Sequence, residues 1–125
     1  MIKTVLVVDD SACVRHMIRR VLETEIECDV FLEAKNGEES IQQMERLSPD
    51  LAVIDFSLPG LNGLEITRIL KRKRPEMPIV LFTLFKDPVL ERDALTAGAS
   101  IVLAKEDGMA MLCSSARRLL TQHSS

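Results

Sequence analysis

Val5-Leu6-Val7-Val8-Asp9-Asp10-Ser11 decides the fold: a β-branched-rich apolar run stops abruptly at two carboxylates and a serine. A strand that is apolar at every position has no face left for water. It belongs in the middle of a parallel sheet covered on both sides by helices. Ser11 can cap the helix that follows, in which Val14, Met17, Ile18, Val21 and Leu22 recur at the spacing of one buried stripe. Arg15, His16, Arg19 and Glu23 fall on the opposite, solvated face.

The same phrase returns along the chain. Leu51 to Ile54 ends in Asp55, Ile79 to Phe82 ends in Thr83, and Ile101 to Ala104 ends in Lys105. A less apolar strand is predicted over Asp29 to Ala34, with Asn36-Gly37 as a turn into a helix that carries Ile41, Met44 and Leu47 inward. Ser48-Pro49-Asp50 stops that helix. The loop Leu58-Pro59-Gly60-Leu61-Asn62-Gly63 leads into a third helix ending near Arg74. Asp87-Pro88 supplies a cap and first-turn proline for a fourth helix through about Thr96, terminated by Gly98. The last helix runs from near Met109 to about Leu120, burying Leu112, Ala116 and Leu119. Strands alternating with helices in this way imply a mostly parallel α/β sheet, because each parallel crossover needs a helix. One domain over residues 1–122 is expected, with His123-Ser124-Ser125 a frayed tail or the start of a linker.

Composition narrows the function. At 125 residues, 46% hydrophobic and 28% charged, the chain suits a single globular domain with an aliphatic core, since it has no Trp or Tyr. A net charge of −3 offers no general attraction for nucleic acid or anionic membranes, and the Arg15, Arg19, Arg20 group reads as a solvated helix face. Cys13, Cys28 and Cys113 form no C-x-x-C pair, so neither a disulfide framework nor a zinc site is indicated. With no leader architecture and no bilayer-length apolar stretch, the expectation is a cytoplasmic protein with no membrane contact. There is no G-x-G-x-x-G or Walker loop to cradle a nucleotide.

If the apolar runs are parallel strands, their carboxyl ends share one sheet edge, where open α/β sheets bind ligands. Asp9, Asp10, Asp55, Thr83 and Lys105 then converge. Each alone has a bland explanation: a carboxylate favouring a helix N-terminus, a β-branched strand residue, a solvated lysine. Complementary chemistry at four separate strand ends is much less probable by chance. Two carboxylates, Asp10 and Asp55, are direct-ligand candidates for Mg²⁺, which takes hard oxygen donors and keeps several waters. A carboxylate can also attack phosphorus, and Asp55 is placed in that role. Lys105 can pair with the transferred group and the Thr83 hydroxyl can donate to one of its oxygens.

Taken together, Val-Val-Asp9-Asp10-Ser, Asp55-Phe-Ser-Leu-Pro59-Gly60-Leu-Asn-Gly63, Phe-Thr83, and Ala97-Gly98-Ala99-Ser100 ahead of Lys105 make the chain resemble, over essentially its full length, the receiver domains of two-component response regulators. The resemblance implies a flavodoxin-like three-layer sandwich: a five-stranded parallel sheet in the order 2-1-3-4-5 with five helices. It implies Mg²⁺-dependent transfer of phosphate to Asp55 from a sensor histidine kinase or phosphotransfer protein. The backbone carbonyl of Ser57 would be a further metal ligand, and Asp9 would hold metal waters. The output would be a change on the face of the fourth helix, fifth strand and fifth helix, read by a downstream domain or protein, in a signalling switch that assists its own phosphorylation and dephosphorylation. A homodimer through the last two helices stays open.

The chain also departs from the pattern. Glu106 follows Lys105 where typical members carry a proline in a cis peptide; a non-proline cis bond costs about 2.5 to 4 kcal/mol, so either a trans peptide with a repositioned loop or retained strain is expected. Val102 stands where most members carry the Tyr or Phe that moves inward on activation. Leu84 stands right after Thr83 where a small side chain is common, and with Phe85 next the bulky pair would narrow the approach to Asp55. These departures favour a competing reading, a receiver-like scaffold that binds partners without phosphate. A metal-dependent phosphatase with an aspartate nucleophile fits less well, since no strand is followed by Asp-x-Asp.

Overall fold

β1, Thr4–Val8, is buried at every position and lies between two parallel neighbours, β2 (Val30–Ala34) and β3 (Leu51–Asp55), with Val5 paired to Phe31 on one side and Leu51 on the other. β4 (Ile79–Thr83) and β5 (Ile101–Ala104) extend the sheet, giving the order β2-β1-β3-β4-β5 of a flavodoxin-like fold. This computed structural model describes residues 3–26 and 28–122. The expected tail, His123 to Ser125, lies outside the described residues.

Because side chains alternate across a strand, each apolar run feeds two cores. Val5, Val7, Val53, Val80, Phe82 and Leu103 face one layer, formed by α1 (Ala12–Ile26) and α5 (Gly108–Gln122). Leu6, Val8, Ala52, Ile54, Ile79, Leu81 and Val102 face the other, formed by α2 (Gly37–Arg46), α3 (Gly63–Lys73) and α4 (Pro88–Ala97). The unbroken hydrophobicity of the strands is therefore used in full. Among the described residues no helix is long and apolar enough to cross a membrane.

Helix starts follow their capping chemistry. The Ser11 hydroxyl accepts from the Val14 amide, Asp87 caps α4 with Pro88 behind it, and Asn62 and Glu65 close a reciprocal capping box on α3. Asn36-Gly37 is not a free turn: Asn36 caps α2, accepting from the Glu39 amide, and Gly37 is its first residue. Two stripe assignments also differ. α1 buries Ile18, Leu22 and Ile26, a strict i, i+4 row, which leaves Met17 48% exposed at the edge of the stripe. Leu47 has left the helix for extended backbone as the residue after α2, and is exposed rather than inward.

After β5 the chain makes a 3-10 turn over Lys105–Asp107, in which the Asp107 carboxylate accepts from the Ala104 amide at 3.3 Å. The described chain contains no cis peptide, so the Lys105-Glu106 bond is trans and the loop is rebuilt around it. Val102 is 1% exposed and packs in the core with Leu81, Ala94 and Ala99.

Candidate functional site

Between β1 and its two neighbours the chain reverses its direction of strand addition, and the crevice outside the carboxyl ends opens there. Asp9 follows β1, Asp55 is the last residue of β3, Thr83 the last of β4, and Lys105 follows β5. The register of Val8 with Ile54, Asp55 with Phe82 and Thr83 with Ala104 sets these ends level. Carboxylate oxygens of Asp9, Asp10 and Asp55 all lie within 4.8 Å of one another.

Asp9 is 2% exposed and is held at every polar atom. Its amide donates to the Ala34 carbonyl at 3.0 Å, its Oδ1 accepts from the Ser11 amide at 2.9 Å, its Oδ2 lies 3.5 Å from Lys105 Nζ, and its carbonyl accepts from Arg15 Nη1 at 2.6 Å. Asp55, 5% exposed, accepts from the Ser57 amide at 3.2 Å and lies 3.4 Å from Lys105 Nζ. Those lysine distances describe an ammonium standing between two carboxylates rather than tight hydrogen bonds. Asp10, by contrast, is exposed. Ser57 is exposed beside Asp55, and the buried Thr83 hydroxyl donates to the Phe85 carbonyl at 3.3 Å. Phe85 is 82% exposed and Leu84 60%, so of the bulky pair Leu84 keeps more contact with the body of the protein.

Two buried carboxylates, Asp9 and Asp55, share the Lys105 ammonium with a third, Asp10, beside them, so the acids of the cluster outnumber its one lysine. Burial pushes the Asp55 carboxyl above its ordinary range, with the Asp9 charge adding to the shift and Lys105 and the Ser57 amide opposing it. An all-oxygen donor set with one exposed carboxylate that has no partner among the described residues fits a small hard cation that retains waters. Mg²⁺ meets that description.

Two features of the site were not read as such in the sequence. Arg15, assigned to a solvated face, has a side chain only 16% exposed and binds both Asp9 and Glu33 of β2. A signal existed: a cation in the first turn of α1 sits at the positive end of the helix dipole, an unfavourable place unless it has partners. Gly63 opens α3 directly against the site, and a Cβ there would meet the Asp55 carbonyl at 2.6 Å and Phe56 Cα at 2.7 Å.

Comparison with known proteins agrees with this geometry. The profile of the response regulator receiver domain matches residues 5–117. The chain is 35% identical over 119 residues to the transcriptional activator protein ExaE of Pseudomonas putida, covering 95% of this chain and 56% of that protein. It is 37% identical over 109 residues to protein-glutamate methylesterase/protein-glutamine glutaminase 2 of Carboxydothermus hydrogenoformans, covering 86% of this chain and 31% of that protein. Among solved structures, a LuxR-family two-component response regulator from Aurantimonas sp. SI85-9A1 superposes with a TM-score of 0.90 at 29% identity, over 98% of this chain and 87% of that one. The chain thus spans about half or less of the curated relatives it matches, and those relatives carry unlike activities in their names.

Proposed function

The chain belongs to the response regulator receiver domain family, and from that membership we propose that it is a phosphoacceptor switch, with Asp55 taking phosphate from a sensor histidine kinase or phosphotransfer protein in the cytoplasm. The observation that carries the reading is the gathering of Asp9, Asp10 and Asp55 at the carboxyl edge of the sheet, with Lys105 against Asp9 and Asp55.

Asp10 and Asp55, with the Ser57 carbonyl, are the residues that would hold Mg²⁺ directly, and Asp9 would order its waters. When bound, the ion supplies the charge neutralisation that lets a carboxylate meet an anionic phosphoryl donor. An Asp55 carboxylate oxygen attacks phosphorus. The oxygen–phosphorus bond forms as the donor's nitrogen–phosphorus bond breaks, and the leaving imidazole takes up a proton. Lys105, already between the two buried acids, pairs with the phosphoryl oxygens; Thr83 donates its hydroxyl proton to one of them.

That proton is a link to output. A single hydroxyl hydrogen cannot serve both the Phe85 carbonyl and a phosphoryl oxygen. Phosphorylation therefore favours an arrangement in which the Leu84 to Asp87 loop is released from Thr83, a population shift that needs no aromatic at position 102. A downstream domain or protein would read the change, and the chain is a switch that assists its own phosphorylation and dephosphorylation. The burial of Val102 favours one competing reading, partner binding independent of phosphate.

Incubation with a histidine-phosphorylated donor protein tests the proposal. Transfer of label to the wild-type chain and none to Asp55→Asn is expected; equal labelling of both would overturn the assignment of Asp55.

A further inference from the structure

We infer that Arg15 is a positioning residue for the metal site, acting through the peptide that joins Asp9 to Asp10. The inference rests on the proposed metal-dependent switch. Its ground is the double attachment of one guanidinium: Nε to the Glu33 carboxylate at 3.0 Å and Nη1 to the Asp9 carbonyl at 2.6 Å. Glu33 is itself held, since Gln43 Nε2 donates to its backbone carbonyl at 3.1 Å and Arg19 Nη1 stands 3.6 Å from its other carboxylate oxygen. Arg19 shares Glu33 but is 47% exposed, whereas Arg15, at 16%, is the one that reaches the site.

The carbonyl of Asp9 and the amide of Asp10 belong to one rigid plane. The Asp9 amide is tied to the Ala34 carbonyl on one side, and Arg15 ties the carbonyl on the other. The Asp10 carboxylate, exposed and without a hydrogen bond or ion pair among the described residues, is aimed by the backbone alone. Fixing the preceding peptide plane is thus what points it toward Asp55. A lysine at 15 would keep the charge but not the fork, because an ammonium is a compact point charge that does not span two acceptors in fixed geometry.

This reading and simple electrostatics predict opposite signs. Coulomb repulsion between Arg15 and an incoming cation means that removing the arginine should tighten Mg²⁺ binding. Loss of positioning should weaken it, by about tenfold if Arg15 acts like other groups that orient metal ligands.

The test is calorimetric Mg²⁺ titration of wild type, Arg15→Ala and Arg15→Lys, with amide NMR of Asp10 in chelator. Both variants are expected to bind Mg²⁺ about tenfold more weakly, with the metal-free Asp10 amide resonance shifted or broadened. Thermal melts in chelator identify any unfolded variant, and Arg15→Lys, which keeps the charge and stem, carries the decision if Arg15→Ala does not fold. Unchanged or tighter Mg²⁺ binding by a folded variant, with wild type binding normally, would overturn the role of Arg15 alone. A wild-type chain that takes up no Mg²⁺ would overturn the metal reading itself, and Arg15 with it.

Discussion

Asp55 is set in a costly place. A carboxylate 5% exposed, beside the charge of Asp9, is easier to protonate in the folded chain than in the unfolded one. A group whose folded pKa is raised contributes most below its unfolded value, and that contribution is lost as pH rises through the folded pKa. In the metal-free protein, stability should therefore fall as pH climbs out of the ordinary carboxylate range, and Asp55→Asn should remove the loss. We expect Asp55→Asn to melt higher than wild type at pH 7 in chelator, by on the order of 1 kcal/mol or about 4 °C, with the gap closing toward pH 4. A gap that stays constant with pH would contradict this account. At this scale the sequence was informative about Asp9, Asp10, Asp55, Thr83 and Lys105, because strand ends are visible as the places where apolar runs stop. It pointed Arg15 to solvent, because its partners, Asp9 just after β1 and Glu33 on β2, are brought to α1 only by the sheet order.

Elements place those residues by close approach. α3 starts against the strand end it follows: the Gly63 amide donates to the Phe56 carbonyl at 2.8 Å, and there is no room for a side chain between the helix and the Asp55 backbone. Gly63→Ala should push α3 or the Asp55 peptide aside, costing about 1 to 3 kcal/mol in denaturant unfolding and lowering the rate of phosphoryl transfer in the same variant. A melt and a rate both equal to wild type would show that the contact yields without consequence. Gly98, at φ +117°, ends α4 with its α-carbon over the Lys71 stem, so the terminator read from the sequence has a packing role as well. Helix ends were legible because capping is local chemistry. The inward faces were less so: Met17 and Leu47 fit a helical stripe by spacing, yet one falls at the stripe's edge and the other beyond the helix end, outcomes set by tertiary packing and by where the chain turns.

For the whole molecule, the alternation of strands and helices predicts the layered architecture, and the sheet order 2-1-3-4-5 came from family resemblance rather than from spacing. That order brings β1 and β3 side by side and so makes one site from acids 45 residues and more apart in the chain, Asp10 and Asp55. A ligand that binds only the folded site raises stability by mass action, so Mg²⁺ at a hundred times its dissociation constant should add about 2.7 kcal/mol to wild type and much less to Asp10→Asn. Equal melting shifts for the two would place the ion elsewhere. The relatives, of which this chain spans 56% and 31%, carry unlike activities in their names. The central claim concerns Asp55, and one measurement addresses it directly: incubation with a small-molecule phosphodonor with and without chelator, followed by intact mass and peptide mapping. The account predicts one added phosphoryl group, on Asp55, that requires Mg²⁺. Absence of labelling with Mg²⁺ bound, from this donor and from a cognate kinase alike, would contradict it and leave the phosphate-independent scaffold as the reading to pursue.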